Sequence, residues 1–137
     1  QGLATPSHAG GMVTLGADTA ASSGQSCTAG GGGSMGSWVE VSASCPRKLV
    51  AVFPHVQGVD AAMPFKEMVL VDVGIGASGQ EQVIGRSALG ASSSESVPTG
   101  SDRWLRCAIP EGSRVVMRSG GWGTGGEAYG VHITGIY

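Results

Sequence analysis

The distribution of apolar and polar residues along the chain is typical of short β-strands separated by turns. Runs rich in β-branched residues lie at 38–43, 48–53, 68–76, 80–84, 104–109, 114–118 and 128–137. Gly, Pro and Ser are concentrated between these runs. No window has the apolar spacing of a long amphipathic helix, and only 87–95 could form one short helix or a loop. We therefore predict an all-β fold, an antiparallel β-sandwich or jelly roll of about seven to eight strands.

Two of these runs form a predicted hairpin. The strongest strand signal is at 68–76, and the run at 80–84 follows after a short turn that contains glycine. We expect 69–76 and 80–84 to pair through Ala77, Ser78 and Gly79. The run at 48–53 is expected to end at Pro54, because proline has no backbone N–H to donate within a sheet.

The first 36 residues have a different composition from the rest of the chain. They consist mostly of Gly, Ala, Ser and Thr, and only Met12–Leu15 looks like a strand. Such a segment cannot bury enough apolar surface to order itself. We predict an N-terminal arm at 1–36 and a β-sandwich domain at 37–137. The arm is either a flexible linker or a segment that orders on a partner, with Met12, Val13 and Leu15 as its contact residues.

Charge and composition limit the classes of partner. Charged residues make up 13% of the 137 residues and the formal net charge is -2, which lacks the basic balance of a nucleic-acid-binding domain. No apolar run approaches the ~20 residues that span a bilayer. We expect neither nucleic acid nor membrane as a partner. Only two Phe, two Tyr and three Trp are present, so the core is thin, and we expect a homo-oligomer. A trimer is the expected number by analogy with other jelly rolls.

Three cysteines are present, and their spacing does not indicate a metal site. Cys27, Cys45 and Cys107 are an odd number and include no C-x-x-C pair, whereas a zinc site uses close pairs of Cys or His. We expect no metal. Free, partly buried thiols are the main interpretation, and a disulfide between Cys45 and Cys107 is the alternative.

One glycine pattern matches the dinucleotide fingerprint. Gly74, Gly76 and Gly79 follow a strand with the G-x-G-x-x-G spacing, but that motif requires a helix to begin there. The segment that follows, 80–85, is too short for the helix, and a hairpin turn explains the glycines. We expect no cofactor.

No constellation of catalytic residues is apparent. His8, His55 and His132 are far apart in the sequence, and no G-x-S-x-G elbow occurs. His132 lies on an apolar strand, which favours a core or interface histidine with its hydrogen bonds satisfied. Asp72 lies inside an apolar strand and must find a partner or face solvent. We predict that the protein is not an enzyme.

A glycine-rich loop carries the candidate contact residues. Residues 120–126 place glycines around Trp122, and the large rigid face of tryptophan stacks on sugars or packs on proteins. The alternative is a hairpin tip whose tryptophan folds back on its own sheet. Trp122, Thr124 and Tyr129 are the candidate contacts for a partner protein or a glycan.

Three segments together resemble a group of small tailed-bacteriophage structural proteins. They are GSWVEV at 36–41, VLVDVGIGASGQEQVI at 69–84 and IPEGSRV at 109–115. The resemblance covers about residues 36–137. Gln80 departs from it, since a serine is expected there, and so does the stretch 89–99.

The resemblance implies a β-sandwich protein of the virion. The expected role is a capsid decoration (cement) protein that binds the major capsid protein or other virion proteins. A neck or tail fibre module that binds host surface glycans is the alternative, and a secreted lectin-like domain is a third interpretation from another class.

Overall fold

The computed structural model describes residues 11–17, 24–58, 67–91, 104–121, 126 and 128–137. This part of the chain contains eight β-strands and no helix, so it has no helix that could cross a membrane. The strands are β1 (Met12–Leu15), β2 (Gln25–Thr28), β3 (Val39–Ser42), β4 (Ala51–Gly58), β5 (Glu67–Ile75), β6 (Gln82–Ala91), β7 (Val115–Gly121) and β8 (Ala128–Ile136). All strand pairings are antiparallel, which confirms the predicted all-β fold.

The first sheet is built around β8. One edge of β8 pairs with β4, and every residue of β4 takes part in this pairing. The other edge pairs with β1 at residues 133–136 and with β2 at residues 128–131. Because a strand has only two edges, β1 and β2 lie end to end as two halves of one strand. On the far side of β4, residues 104–109 add backbone bridges at Leu105 and Ile109.

The second sheet has the order β3-β7-β5-β6. Its longest pairing is the hairpin of β5 and β6, which runs from Glu67 opposite Ala91 to Ile75 opposite Gln82. The predicted hairpin is therefore confirmed, with a turn at 76–81. The register shifts next to Gly74, where a β-bulge leaves one extra residue in β6.

The order of strands is that of a jelly roll. We count β1 with β2 as strand 1 and residues 104–109 as strand 6, so that β3, β4, β5 and β6 become strands 2, 3, 4 and 5, while β7 and β8 keep their numbers. In this numbering the two sheets have the orders 1-8-3-6 and 2-7-4-5. Only β5 and β6 follow each other within one sheet, and every other connection crosses from one sheet to the other. This double-sheet arrangement of eight strands is the jelly-roll topology.

The core lies between the two sheets and consists mainly of β-branched side chains. β8 contributes Tyr129, Val131 and Ile133 from its inward positions. β5 and β7 contribute the facing layer, with Val69, Val71, Val73, Val115 and Met117. Leu49, Val52, Val56 and Ile109 close the core at the edge of the first sheet.

The described part of the predicted arm belongs to the sandwich. β1 and β2 both pair with β8, and Leu15, Cys27 and Ala29 are buried in the core. This corrects the expectation that 1–36 lies apart from a body that begins at 37. β1 brings Val13 and Leu15 to the core and β2 brings Cys27, and both half-strands are ordered because β8 offers them an edge and a core to pack on. Residues 1–10 and 18–23 lie outside the described residues.

Two strands are longer than predicted. β4 continues through Pro54 to Gly58. The N–H and C=O of Val52 bond to Leu105, on the side of β4 that faces away from β8. Backbone groups alternate sides along a strand, so the nitrogen of Pro54, two residues later, also points away from β8. The N–H that proline lacks therefore costs no hydrogen bond with β8. β6 extends to Ala91 because β5 offers nine residues to pair with. The segment expected as a short helix or loop is therefore strand up to residue 91, and 92–95 lie outside the described residues.

Candidate functional site

The predicted contact residues are distributed differently from the expectation. Trp122 and Thr124 lie outside the described residues. Tyr129 is 2% exposed and packs in the core, so the expectation of a surface contact is corrected for this residue. Leu15 is buried and Val13 packs against the core, because both point inward from β1. Met12, the remaining predicted contact, is 61% exposed.

Met12 belongs to a patch on the outer face of the first sheet. We define this outer face by the side chains of β1, β4, β8 and 104–109 that point away from the core. Its central residues are Met12, Phe53, His55, Trp104, His132 and Thr134. Five of them, all except His132, line a shallow depression of about 220 Å³.

Aromatic rings make up most of the lining of the depression. Phe53 meets Trp104 edge to face, with ring centroids 5.4 Å apart, and it is tilted against His55 at 5.1 Å. Trp104 remains 37% exposed. Such edge-to-face contacts hold aromatic rings in place, so the patch presents a pre-organised apolar surface.

A stacked pair of histidines lies beside these rings. His55 of β4 is directly opposite His132 of β8, and their rings are nearly parallel with centroids 4.3 Å apart. His55 Nε2 and Thr134 Oγ1 are hydrogen-bonded at 2.9 Å. Nδ1 of His132 is buried and has no hydrogen-bond partner among the described residues. His132 thus lies on the outer face, which corrects the expectation of a core histidine with satisfied hydrogen bonds, and the alternative of an interface histidine stays a prediction.

Both histidines are held in the neutral form. Burial, with a smaller contribution from the neighbouring His132, lowers the pKa of His55 to about 4. Burial also lowers the pKa of His132. Two cationic rings at this distance would repel each other, and a proton on Nδ1 of His132 would be a buried N–H without an acceptor.

The outer face of the first sheet is almost free of charge. β1, β2, β4, β8 and residues 104–109 contain no Asp or Glu, and Arg106 is their one Lys or Arg. Depletion of charge together with exposed Met and aromatic residues is typical of the core of protein interfaces.

The outer face of the second sheet has the opposite character. Asp72 of β5 is fully buried between Arg86 of β6 and Arg118 of β7. Arg86 donates from Nε to Oδ1 at 2.6 Å and from Nη2 to Oδ2 at 3.0 Å, and Arg118 donates from Nε to Oδ2 at 2.9 Å. Burial alone would raise the pKa of Asp72, but the hydrogen bonds from the two arginines outweigh burial and lower it. The expected partner of Asp72 is therefore this pair of arginines.

Trp38 covers the middle of the same face. The guanidinium carbon of Arg118 lies 4.2 Å from the ring centroid of Trp38. The ring also packs on Gly74, where a Cβ atom would lie 2.8 Å from the indole and 2.9 Å from the carbonyl oxygen of Gln82. Gly74 thus serves close packing.

Arg114 connects the three segments that carry the phage resemblance. It donates to Glu40 Oε1 at 2.8 Å and to Glu81 Oε2 at 3.2 Å, and Nη1 also donates to the carbonyl oxygen of Gly76 at 3.1 Å. Glu40 lies in the first segment, Gly76 and Glu81 in the second, and Arg114 in the third. The three segments therefore form one structural unit at this end of the sandwich.

The glycines of the dinucleotide-like pattern belong to the same unit. Gly76 has a φ of 131°, and a Cβ atom there would lie 2.6 Å from the carbonyl oxygen of Gln80. Gly79 also has a positive φ within the turn. The pattern is thus explained by the β5–β6 turn.

A cleft of about 430 Å³ lies at this end of the molecule. The β5–β6 turn and residues 112–114 line it. Gln80, Gln82 and Ser113 bring neutral hydrogen-bonding groups, and Ile75 and Ala77 bring apolar surface. Arg114 also lines the cleft, but its charge is paired with Glu40 and Glu81.

All three cysteines are free thiols. The main prediction is confirmed, and the alternative Cys45–Cys107 disulfide is wrong. Burial raises the pKa of each thiol, which makes all three poor nucleophiles and poor metal ligands at neutral pH. Within the described ranges, no group of three or more His, Cys, Asp or Glu side chains could hold a metal ion.

The sequence contained a signal for the outer face that the prediction missed. Val52 and Val56 alternate with Phe53 and His55, as expected of a strand that buries one face. The prediction ended this strand at Pro54, so the outward position of Phe53 and His55 was not recognised. Trp104 joins them only through the bridge between β4 and residues 104–109.

Comparison with family models, with curated proteins and with solved structures gives no significant match to this chain.

Proposed function

We propose that the chain is a bacteriophage virion structural protein, a capsid decoration (cement) protein that binds the assembled head. The observation that carries the proposal is the jelly-roll order of the strands, 1-8-3-6 and 2-7-4-5. Jelly rolls occur among viral capsid and lectin domains, which bind other molecules through their surfaces.

The geometry of the resembling segments supports the proposal. Glu40, Glu81 and Arg114 come from three separate segments of the sequence and meet in one ion-pair network. Trp38 and Gly74 add a second contact between the first two segments. The shared motifs therefore correspond to a folded unit, so they support a common fold with the phage structural proteins more strongly than isolated matches would.

The role as a cement protein has a thermodynamic consequence. A protein that binds the assembled head and not its dissociated subunits stabilises the assembled state by mass action. The major capsid protein in its assembled form is the proposed partner, and the virion is the proposed location.

The test uses particles with and without the protein. Particles from which it has been stripped should lose heat and osmotic resistance while they still attach to cells. Adding the purified chain back should restore resistance and saturate at hundreds of copies per particle. If stripped particles are as robust as intact ones but fail to adsorb, the cement role is overturned in favour of a fibre role.

The second candidate function is a neck or tail fibre module that binds host surface glycans. The cleft of about 430 Å³ favours it, because Gln80, Gln82 and Ser113 offer uncharged donors and acceptors suited to sugar hydroxyl groups. A copy number of tens or fewer per virion and binding on a glycan array would support this candidate. A double variant, Gln80→Ala with Gln82→Ala, should then abolish glycan binding while the protein remains folded.

A further inference from the structure

We propose that two copies of this chain associate face to face through the outer face of the first sheet, with His55 and His132 at the centre of the contact. This inference concerns the free protein and does not depend on its role in the virion. Four observations carry it: exposure, charge, area and the histidine pair.

The exposure argument rests on large apolar side chains that are exposed on the same surface. Met12 and Trp104 are 61% and 37% exposed and both border the depression on this face. Phe53 lies between them. Soluble proteins rarely leave a contiguous apolar patch of this kind unless a partner covers it.

The charge argument identifies a second copy as the partner. A two-fold contact brings the same patch of both copies together, so a charge near its centre would lie opposite the same charge of the other copy and be repelled by it. The described residues of this sheet and of 104–109 include no carboxylate, and their one guanidinium, that of Arg106, is on the outermost segment. The outer face of the second sheet carries Asp72, Arg86 and Arg118 and is unsuited to the same arrangement.

The area of the face predicts a weak dimer. Nine residues of β8 extend about 30 Å, and four adjacent segments span about 19 Å, which gives roughly 570 Å² per copy. The total of about 1,100 Å² is near the lower limit for specific interfaces. We therefore expect a reversible dimer with a dissociation constant in the micromolar range.

The histidine pair adds a pH dependence to this contact. In the dimer both rings lose their remaining water, which disfavours their cationic forms further. The described elements that pack around them are β1, β2, β8, β4 and 104–109. These elements offer no carboxylate, and their other ionisable groups are Arg106, the thiols of Cys27 and Cys107, and the inward-facing Tyr129. Because no carboxylate on these elements would stabilise a histidine cation, the dimer should dissociate in acid.

The experiment measures the mass of the free protein by sedimentation equilibrium or light scattering. At pH 7.5 and about 10 to 500 µM, the wild-type chain should show a reversible monomer–dimer equilibrium. Met12→Glu places a charge on the outer face at an exposed position and should weaken dimerisation at least tenfold. Val83→Glu is the matched control, because Val83 is an exposed apolar residue (45%) on the second sheet, and it should leave dimerisation unchanged.

Three results of this experiment would contradict the proposed dimer. A monomer at all concentrations, a trimer, or a dimer that Val83→Glu disrupts and Met12→Glu does not would each overturn the inference. Thr14→Lys, at an exposed position of β1, provides a second probe of the face should Met12→Glu fail to fold. This experiment contains no phage particles, so a negative result would not contradict the proposed cement function. A negative result in the particle experiment would likewise not contradict the dimer.

Discussion

At the scale of single residues, Asp72 is the most constrained group of the described structure. It has no exposed surface and its two oxygens accept hydrogen bonds from arginines on both neighbouring strands. One carboxylate thereby connects β6, β5 and β7 across the outer face of the second sheet. A buried ion pair contributes little compared with apolar packing, but removal of one partner is costly.

Asp72→Ala should therefore destabilise the protein strongly, by about 2–4 kcal/mol, because it leaves Arg118 without its carboxylate. Glu40→Ala is the matched control, since Glu40 is half-exposed and should cost about 1 kcal/mol or less. Urea unfolding at pH 7 measures both. Equal losses in the two variants would contradict the role given to Asp72. Because the pKa of Asp72 is lowered in the folded protein, its contribution is present above pH 3.8 and is lost as the pH falls further.

The histidine pair predicts a second dependence on pH. The pKa of His55 is about 4 in the folded protein and 6.5 ordinarily, so the unfolded chain binds more protons between these values. Stability should therefore be full above pH 6.5 and fall as the pH is lowered from 6.5 to about 4. His55→Gln, which keeps a hydrogen-bonding group near Thr134, should flatten this part of the profile. Thermal unfolding midpoints measured in steps of pH test this, and an unchanged profile in the variant would refute it.

At the scale of elements, β1 shows how a weak strand becomes ordered. Its four residues alternate between solvent and core, and they pair with the end of β8. The composition around β1 predicts flexibility, but the free edge of β8 supplies backbone hydrogen bonds and the core accepts Leu15. The strand is thus an example of tertiary context that overrides local preference.

Two substitutions within β1 separate these contributions. Leu15→Ala should cost about 2–4 kcal/mol, because a buried leucine leaves a cavity. Met12→Ala, on the exposed side of the same strand, should change the stability of the monomer by less than about 0.5 kcal/mol. Chemical denaturation below the concentration of dimerisation compares them. Similar small effects at both positions would mean that β1 does not pack as described.

The contact between β3 and β5 predicts energetic coupling. Gly74→Ala should destabilise the protein by about 1–3 kcal/mol, since the new methyl group collides with the ring of Trp38. In a Trp38→Ala background the same substitution should cost less, because the collision is removed and only the contact with Gln82 remains. A double-mutant cycle measures this coupling. Strict additivity would exclude the packing of Trp38 on Gly74.

At the scale of the whole molecule, the two outer faces of the sandwich have different chemistry. The second sheet carries a network of ion pairs, whereas the first sheet is neutral and aromatic. The proposed dimer would cover the neutral face and leave the charged face exposed. The expectation of a trimer rested on analogy, and an uncharged patch that can contact the same patch of a second copy favours two-fold symmetry.

The dimer should therefore respond to acid before the fold is lost. We expect the dissociation constant to rise as the pH falls from 7.5 towards about 4, where His55 of the separate copies takes up a proton, because protonation of the histidines is linked to separation of the copies. His132→Gln should reduce this change, and circular dichroism at the lowest pH used should still show a β-sheet spectrum. Sedimentation in steps of pH measures the effect. Association that is equally strong at pH 7.5 and at about pH 4 would contradict the central position of the histidine pair.

Much of the strand pattern could be predicted from the sequence. The hairpin of β5 and β6 and the existence of β7 and β8 follow from runs of β-branched residues and from glycine at the turn. These are local signals. A strand that buries one face and a turn that needs positive φ can both be recognised from the residue types within about ten positions.

The candidate site could not be predicted in the same way. Met12, Phe53, Trp104 and His132 come from four separate segments, and their outward direction depends on the register of β8 with β1 and β4. The partners of Asp72 and the position of Arg114 likewise require strands that lie 14 to 74 residues apart in the sequence.

The sequence by itself determined the β class, the hairpin and the requirement that Asp72 find a partner or face solvent, because periodicity, turn chemistry and the cost of a buried charge act locally. Only the tertiary structure decided that β1 and β2 complete the edge of β8, that the strand order is a jelly roll, and that a neutral aromatic face lies over β4 and β8. These features arise from pairing between distant strands. The free energy of such pairing depends on which edges and faces are available after the rest of the chain has folded.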